Sequence, residues 1–245
     1  MSADLLEKAP RRAPATAAPA PTAAPATAAA ATTAAPATVA APASADATED
    51  RRCVRSKKAL RVALIELTEE RGLDGFTVND LCERADLNRG TFYNHFKDKD
   101  DLLVSCEDDV IADLNRFQSQ IDELDIHKVM RYRISEKPFP LLVELFDYLR
   151  EEGPFLHAVL GSGGDIRFGP RVSETICTHL ITSVLHEKYR ENPTMFVNYY
   201  VAYYASAFLG VIQRWVLTGM NESSEEMARV LLALFFMKPG KPIEM

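Results

Sequence analysis

Between Asn88 and Lys99 the chain sets out Asn88, Arg89, Gly90, Tyr93, Asn94, Lys97 and Lys99, with no acid between Asn88 and Lys97. Arginine offers a planar fork of donors that fits a phosphate or the edge of a guanine. Tyr and Asn reach phosphates or bases, and glycine lets the backbone come close to its target. A merely solvated face mixes acids with bases, and this one does not. Lys99 adds to the pattern because it falls in the first turn of an expected helix, where the dipole disfavours a cation. An anionic partner gives a reason for it that folding does not. Upstream, Arg51, Arg52, Arg55, Lys57, Lys58 and Arg61 follow one another without an intervening acid. Arg52 and Lys57 are the two of this run expected to reach phosphate.

The net charge of −7 argues at first against a nucleic-acid partner, but its distribution argues for one. Residues 51–99 carry eleven basic and eight acidic groups, whereas 100–245 carry fourteen and twenty-two. A basic arm on an acidic body binds phosphate locally while the remainder stays soluble and repels non-specific contacts.

Other chemistries find little support. None of the five histidines lies in an HExxH pattern or beside a cysteine at ligand spacing, and no GxSxG occurs. Catalytic residues, a metal and a cofactor are therefore not expected, and an all-α enzyme is disfavoured. Cys53, Cys82, Cys106 and Cys177 form no CxxC or CxxH pair, which speaks against a zinc site or a disulfide framework and fits a reducing cytoplasm. Cys82 is expected in the core. The segment from Gly161 to Asp165 is glycine-rich but lacks the GK[ST] ending of a phosphate loop and a preceding strand, so it reads as a flexible interhelical loop.

The donors need a scaffold, and the sequence marks one. Thr77 precedes a helical run to Ala85, with Asp80 at capping-box spacing. Asn88 opens a second short helix. Asp98 opens a third, with Asp101 in its first turn. Two helices this short, joined at Asp86-Leu87, must cross on a neighbour, which is the geometry of a helix-turn-helix over residues 77–96. The neighbour is a helix from Val54 to Arg71 with Leu60, Ala63, Leu64 and Leu67 on one stripe, ended by Gly72. Val78, Leu81, Cys82 and Ala85 form the inward face of the first short helix; Leu87, Thr91, Phe92 and Phe96 form that of the second. Residues 1–50 hold seven of the fourteen prolines among Ala and Thr and show no apolar period, so they read as a disordered tail without a secretory signal.

The run from Leu60 to Leu102 resembles the N-terminal DNA-binding domain of the TetR family of bacterial transcriptional regulators. The matching residues are Leu60, Ala63, Leu67 and Gly72; Phe76, Thr77, Leu81 and Ala85; Leu87, Gly90, Thr91, Phe92, Tyr93, His95 and Phe96; and Lys99 and Leu102. Asp86 stands where the family usually has Gly, Asn88 where it has a Ser cap, and Cys82 where it has Ala. The resemblance implies phosphate contacts from Thr77, Thr91, Tyr93, His95 and Lys99, and base-edge contacts from Arg89, Gly90 and Asn94. It also implies double-stranded DNA with a near-palindromic operator as the partner.

Beyond Leu103 the helices lengthen. One is expected from Leu102 to about Ile121. Another opens at Pro138 and Pro140, carries Leu141, Leu142, Leu145, Phe146 and Leu149 inward, and stops at Gly153-Pro154. A third runs from Arg171 to Tyr189 with Val172, Ile176, Leu180, Val184 and Tyr189 inward. The most apolar stretch, Met195 to Met220, is cut by Asn198, Gln213 and Arg214 below the length of a membrane span, so no membrane is expected. The last helix follows the Ser223 to Glu226 capping spacing. Helices apolar on more than one face bury against a second subunit, which predicts a homodimer through the two C-terminal helices. Tyr199 to Phe236 resembles the dimerisation helices of the TetR subgroup that includes an activator of dihydroxyacetone kinase genes. Tyr148, His157, Arg167, His179 and Tyr203 are read as structural residues, so no ligand site is assigned.

The expected fold is all-α. A three-helix DNA-binding domain (51–114) precedes a helical regulatory and dimerisation domain (115–245). The expected function is a repressor controlled by a small ligand, with a regulator or activator controlled by a protein partner as the alternative. A closed apolar cavity with several polar groups would favour the former, and a pocketless C-terminal domain the latter.

Overall fold

The computed structural model describes residues 46–135 and 137–237. The tail expected over residues 1–50 lies, up to residue 45, outside the described residues. The fold is all helical, and no strand occurs among the described residues.

Helix α1 (Asp46–Arg71) begins eight residues before the expected Val54, so residues 46–50 are helical backbone and not tail. No proline follows Pro42 to interrupt it. Leu60, Ala63, Leu64 and Leu67 are all essentially inaccessible, as their spacing requires. Gly72, at φ +72°, ends the helix and leads into a 3-10 turn, Leu73–Gly75.

Three helices follow: α2 (Val78–Arg84), α3 (Arg89–His95) and α4 (Lys99–Asn115). Each starts at its expected cap. Thr77 and Asp80 form a reciprocal capping box; the Asn88 side chain accepts from the Thr91 N–H, and the Asp98 side chain from the Asp101 N–H. Asp86 takes up the turn at φ +52°, the left-handed conformation expected where the family has glycine. Phe76, Leu81, Cys82, Phe92, Phe96 and Leu102 fill the space between these helices and α1. Val78, Ala85 and Leu87 pack half-buried against them.

α4 stops at Asn115, short of Ile121, and α5 (Gln118–Asp122) and the unforeseen α6 (Ile126–Ser135) follow. α7 (Pro140–Glu151) buries the expected five apolar residues. Gly153-Pro154 does not end the helical path: α8 (Gly153–Leu160) starts there, because proline is tolerated in a first turn, where its missing N–H has no helical partner. The expected helix from Arg171 to Tyr189 is three joined pieces, α9 (Phe168–Val172), a π-helical turn (Ser173–Thr178) and α10 (His179–Ser183). It ends near Val184, and Tyr189 falls in the separate α11 (Glu187–Glu191), exposed and not inward. The hydroxyls of Thr175 and Thr182 bond back to the carbonyls four residues earlier, which competes with a regular α ladder.

α12 (Met195–Leu217) packs on the π-helical turn and α8, and α13 (Ser224–Phe235) closes the bundle on α7. Ser223 and Glu226 form the expected capping box. Trp215 is buried edge-on to Phe146, its indole N–H donating to the Glu222 carbonyl at 3.1 Å. The opposite face of α12 is bare: Met195, Phe196, Tyr199 and Tyr203 are each 70% or more exposed. Contrary to expectation, α12 is long and apolar enough by composition to cross a membrane. A helix that buries Phe208, Ile212 and Trp215 in its own bundle and leaves a second apolar face unpartnered passes the same test.

All described residues belong to one compact unit. The first three helices are held to the rest by contacts of α1 as well as by α4. Arg61 pairs with Glu152 and lies over the Phe155 ring at 4.9 Å, and His157 Nδ1 is 2.6 Å from Glu69 Oε1. The segment from Gly161 to Asp165 joins helices as expected but is not loose. The Gly163 carbonyl accepts from the Leu73 N–H at 2.8 Å, and a Cβ on Gly163 would stand 2.9 Å from the Gly72 Cα. On α4, the buried Glu107 accepts from Arg171, which also reaches Asp108. Burial and the nearby Asp165 push the Glu107 carboxyl above its usual range.

Candidate nucleic-acid interface

α3 buries Phe92 completely and thereby fixes what faces outward: Asn88, Arg89, Gly90, Tyr93, Asn94 and Lys97 are exposed, Tyr93 at 57%. The ring of Tyr93 stands edge-on to Phe92 at 5.4 Å, which holds its hydroxyl away from the core. Gly90 sits so close to its cap that an added Cβ would lie 3.2 Å from Asn88 Oδ1.

Arg89 is positioned by a residue that no sequence motif singles out. Its Nε donates to Asn79 Oδ1 at 3.1 Å, and the Asn79 amide in turn donates to Glu83 at 2.7 Å. This uses one of the five guanidinium donors and leaves the terminal fork for a ligand.

Other expected contacts carry folding duties as well. Asn88 Oδ1 accepts from both the Thr91 N–H and the Thr91 hydroxyl. The Thr77 hydroxyl donates to Asp80 at 2.6 Å, and the capping-box bonds hold the Asp80 carboxyl below its usual range. His95 is half-buried, with Nδ1 3.7 Å from Cys53 Sγ, so its other ring nitrogen is the one left to meet a phosphate. Lys99 differs most from its sequence reading. Its ammonium donates to the carbonyls of Leu73 and Phe76 and lies 4.7 Å from the centre of the Phe76 ring. Folding thus supplies the reason for this lysine that the sequence lacked, and one N–H remains free of the two carbonyl bonds.

Three of the eight acids of residues 51–99 are ion-paired with arginine. Arg84 pairs with both Glu66 and Glu70, Arg71 lies 3.6 Å from Asp80, and Asp98 is held by its capping bond. The basic run of α1 is divided by the fold. Arg52 is exposed, Arg61 turns to Glu152, and Lys57 lies with Lys58 on the wall of a cleft against the α7–α8 corner. Sequence reading missed the role of Arg61, because its partner is 91 residues away.

Residues 60–106 match the family model for bacterial regulatory proteins of the tetR family, and 136–236 match a TetR model described as the C-terminal region of a transcriptional regulator. The chain belongs to the TetR family. Both matched models describe regulatory proteins, and α2 and α3 form the helix-turn-helix within the first of them. YxbF, an uncharacterised HTH-type transcriptional regulator of Bacillus subtilis strain 168, is 38% identical over 55 residues, 22% of this chain and 14% of YxbF. The HTH-type transcriptional regulator SAB2452 of Staphylococcus aureus strain bovine RF122 / ET3-1 is 23% identical over 115 residues, 47% of this chain and 59% of the relative. The chain thus spans less than two thirds of either curated relative. Among solved structures, a TetR transcriptional regulator from Streptococcus agalactiae 2603V superposes with a TM-score of 0.50 at 18% identity, covering 77% of this chain and 98% of the other. At that identity the likeness speaks to the fold alone.

Proposed function

We propose that this TetR-family chain acts in the cytoplasm as a homodimeric repressor in which residues 51–114 read DNA and 115–245 dimerise and regulate. Each protomer inserts α3 into the major groove of one half of a near-palindromic operator. The observation that carries this reading is the exposed face of α3, free of acids and backed by the buried Phe92, with the Arg89 fork aimed by Asn79. Arg89, Gly90 and Asn94 meet base edges. Arg52, Lys57, Thr77, Asn88, Thr91, Tyr93, His95, Lys97 and Lys99 meet phosphates, Thr77, Asn88 and Thr91 by sharing groups that also cap helices. The bare face of α12, with Tyr199 and Tyr203 a helical turn apart, supports pairing of two copies there.

Regulation acts from outside the C-terminal bundle. The cavity within it measures about 40 Å³ and is lined by apolar residues such as Leu142, Ile181 and Phe208. Ligand pockets span roughly 300 to 1,000 Å³ and present a few polar groups. This supports control by a protein partner, or by a ligand bound elsewhere, over a small ligand enclosed in the bundle.

The test is Arg89→Ala in quantitative footprinting. The expected loss is about 1 to 3 kcal/mol of operator affinity, with relaxed preference at one base pair. Unchanged affinity and unchanged preference would remove Arg89 from the reading set.

A further inference from the structure

A cleft of about 560 Å³ lies between the DNA-binding helices and the α7–α8 corner. Its volume is that of a drug-sized ligand site. Val62 and Ile65 of α1, Phe96 at the end of α3 and Phe155 of α8 give it apolar surface. Lys57 and Lys58 stand on one wall, Asp109 and Glu151 among the other lining residues, and the Arg61–Glu152 pair lies within it.

We propose that this cleft binds a small organic anion with an apolar body, and that the anion competes with DNA for the lysines of α1. Arg61 is neutralised by Glu152, whereas Lys57 and Lys58 are exposed and make no ion pair among the described residues. They also belong to a stretch of six bases, from Arg51 to Arg61, that contains no acid. The local potential on that wall is therefore positive and attracts an anionic head. Asp109 and Glu151 repel the same head, which orients it toward the lysines and leaves the apolar body against Val62 and Ile65. A cationic ligand meets the reverse: repulsion from the lysines and attraction to the acids.

The regulatory half of the proposal rests on the DNA-binding reading above. Lys57 is both a cleft residue and a proposed phosphate contact, so an anion seated there withdraws a cation from the DNA face. The cleft also spans the Arg61–Glu152 tie between the DNA-binding helices and the body, so its occupant contacts both parts at once. Occupancy and DNA binding are then antagonistic by linkage.

The experiment titrates the full chain with 1-anilinonaphthalene-8-sulfonate, an aromatic sulfonate whose emission rises on leaving water. Rhodamine 6G, a cationic dye, is titrated in parallel. One saturable site per protomer is expected for the sulfonate and none for the cation. Lys58→Glu, at an exposed position, should weaken the sulfonate about fivefold to tenfold. Val62→Trp, at a half-exposed position on the rim, should abolish saturable binding by filling the space. Circular dichroism and thermal unfolding report that both variants remain folded. Sulfonate binding that is unchanged in both variants places the dye elsewhere and overturns the site. Preferential binding of rhodamine 6G overturns the assignment of the ligand as an anion.

A second arm measures affinity for an operator with and without saturating sulfonate. A fall of about fivefold or more in the wild type, absent in Val62→Trp, supports antagonism. Saturable sulfonate binding with no change in operator affinity overturns the competition. Should the chain fail to bind any DNA, the fluorescence arm still decides the site by itself, so the two readings fail separately.

Discussion

The Lys99 ammonium donates to the carbonyls of Leu73 and Phe76 and covers the Phe76 ring, so one side chain ties the start of α4 to the turn that follows α1. A hydrogen bond involving a charged group contributes about 1.5 to 3 kcal/mol when it replaces contact with water, and these carbonyls are only partly shielded. Lys99→Met keeps the stem and removes the donors. It is expected to lower unfolding stability by about 1 to 2 kcal/mol in urea titration, with the slope unchanged. Full stability in this variant would leave Lys99 with a phosphate role only. Arg89 is the counter-case at the same scale. Asn79 holds its Nε, yet no bond to the terminal fork occurs among the described residues, and that is why Arg89 carries the functional reading and Lys99 shares it.

At the scale of elements, the turn between α2 and α3 is held open by Asp86 at φ +52°. A non-glycine residue there costs about 1 kcal/mol, partly offset by the greater freedom glycine has in the unfolded chain. Asp86→Gly is therefore expected to raise the melting temperature by roughly 2 to 4 °C. A fall in thermal unfolding would mean that the Asp86 side chain itself supports the turn. This stretch was the legible part of the chain, because caps are local. Thr77 with Asp80, Asn88 with Thr91, and Asp98 with Asp101 each act over three residues, and the stripe of α1 repeats at helical spacing. Which residues of α3 face outward was legible for the same reason: burying Phe92 decides it. What stayed hidden was non-local. Arg61 with Glu152, Leu73 with Gly163 and Arg171 with Glu107 join residues more than sixty positions apart, and no period announces them. The break of the expected Arg171 to Tyr189 helix into a π turn was hidden too, since its apolar spacing is close to that of an α-helix.

At the scale of the whole molecule, an acidic chain presents an acid-free face on α3 because most of its excess acid lies beyond residue 99, while Glu66, Glu70 and Asp80 are paired with Arg84 and Arg71. The DNA-binding helices are anchored to the body through α1 and α8 as well as through α4, so a change in the body has two routes to the position of α3. The exposed apolar face of α12 gives a reason for two copies to associate, and two-fold association dictates the form of the target. The most direct measurement is selection of bound sequences from a random double-stranded DNA library with the purified full chain at physiological salt. The expected product is an inverted repeat with two equal half-sites whose centres lie on one face of the duplex, footprinted symmetrically by the protein. A library that yields no enriched sequence, or a single unrepeated element, would contradict the account of a dimer reading DNA through α3.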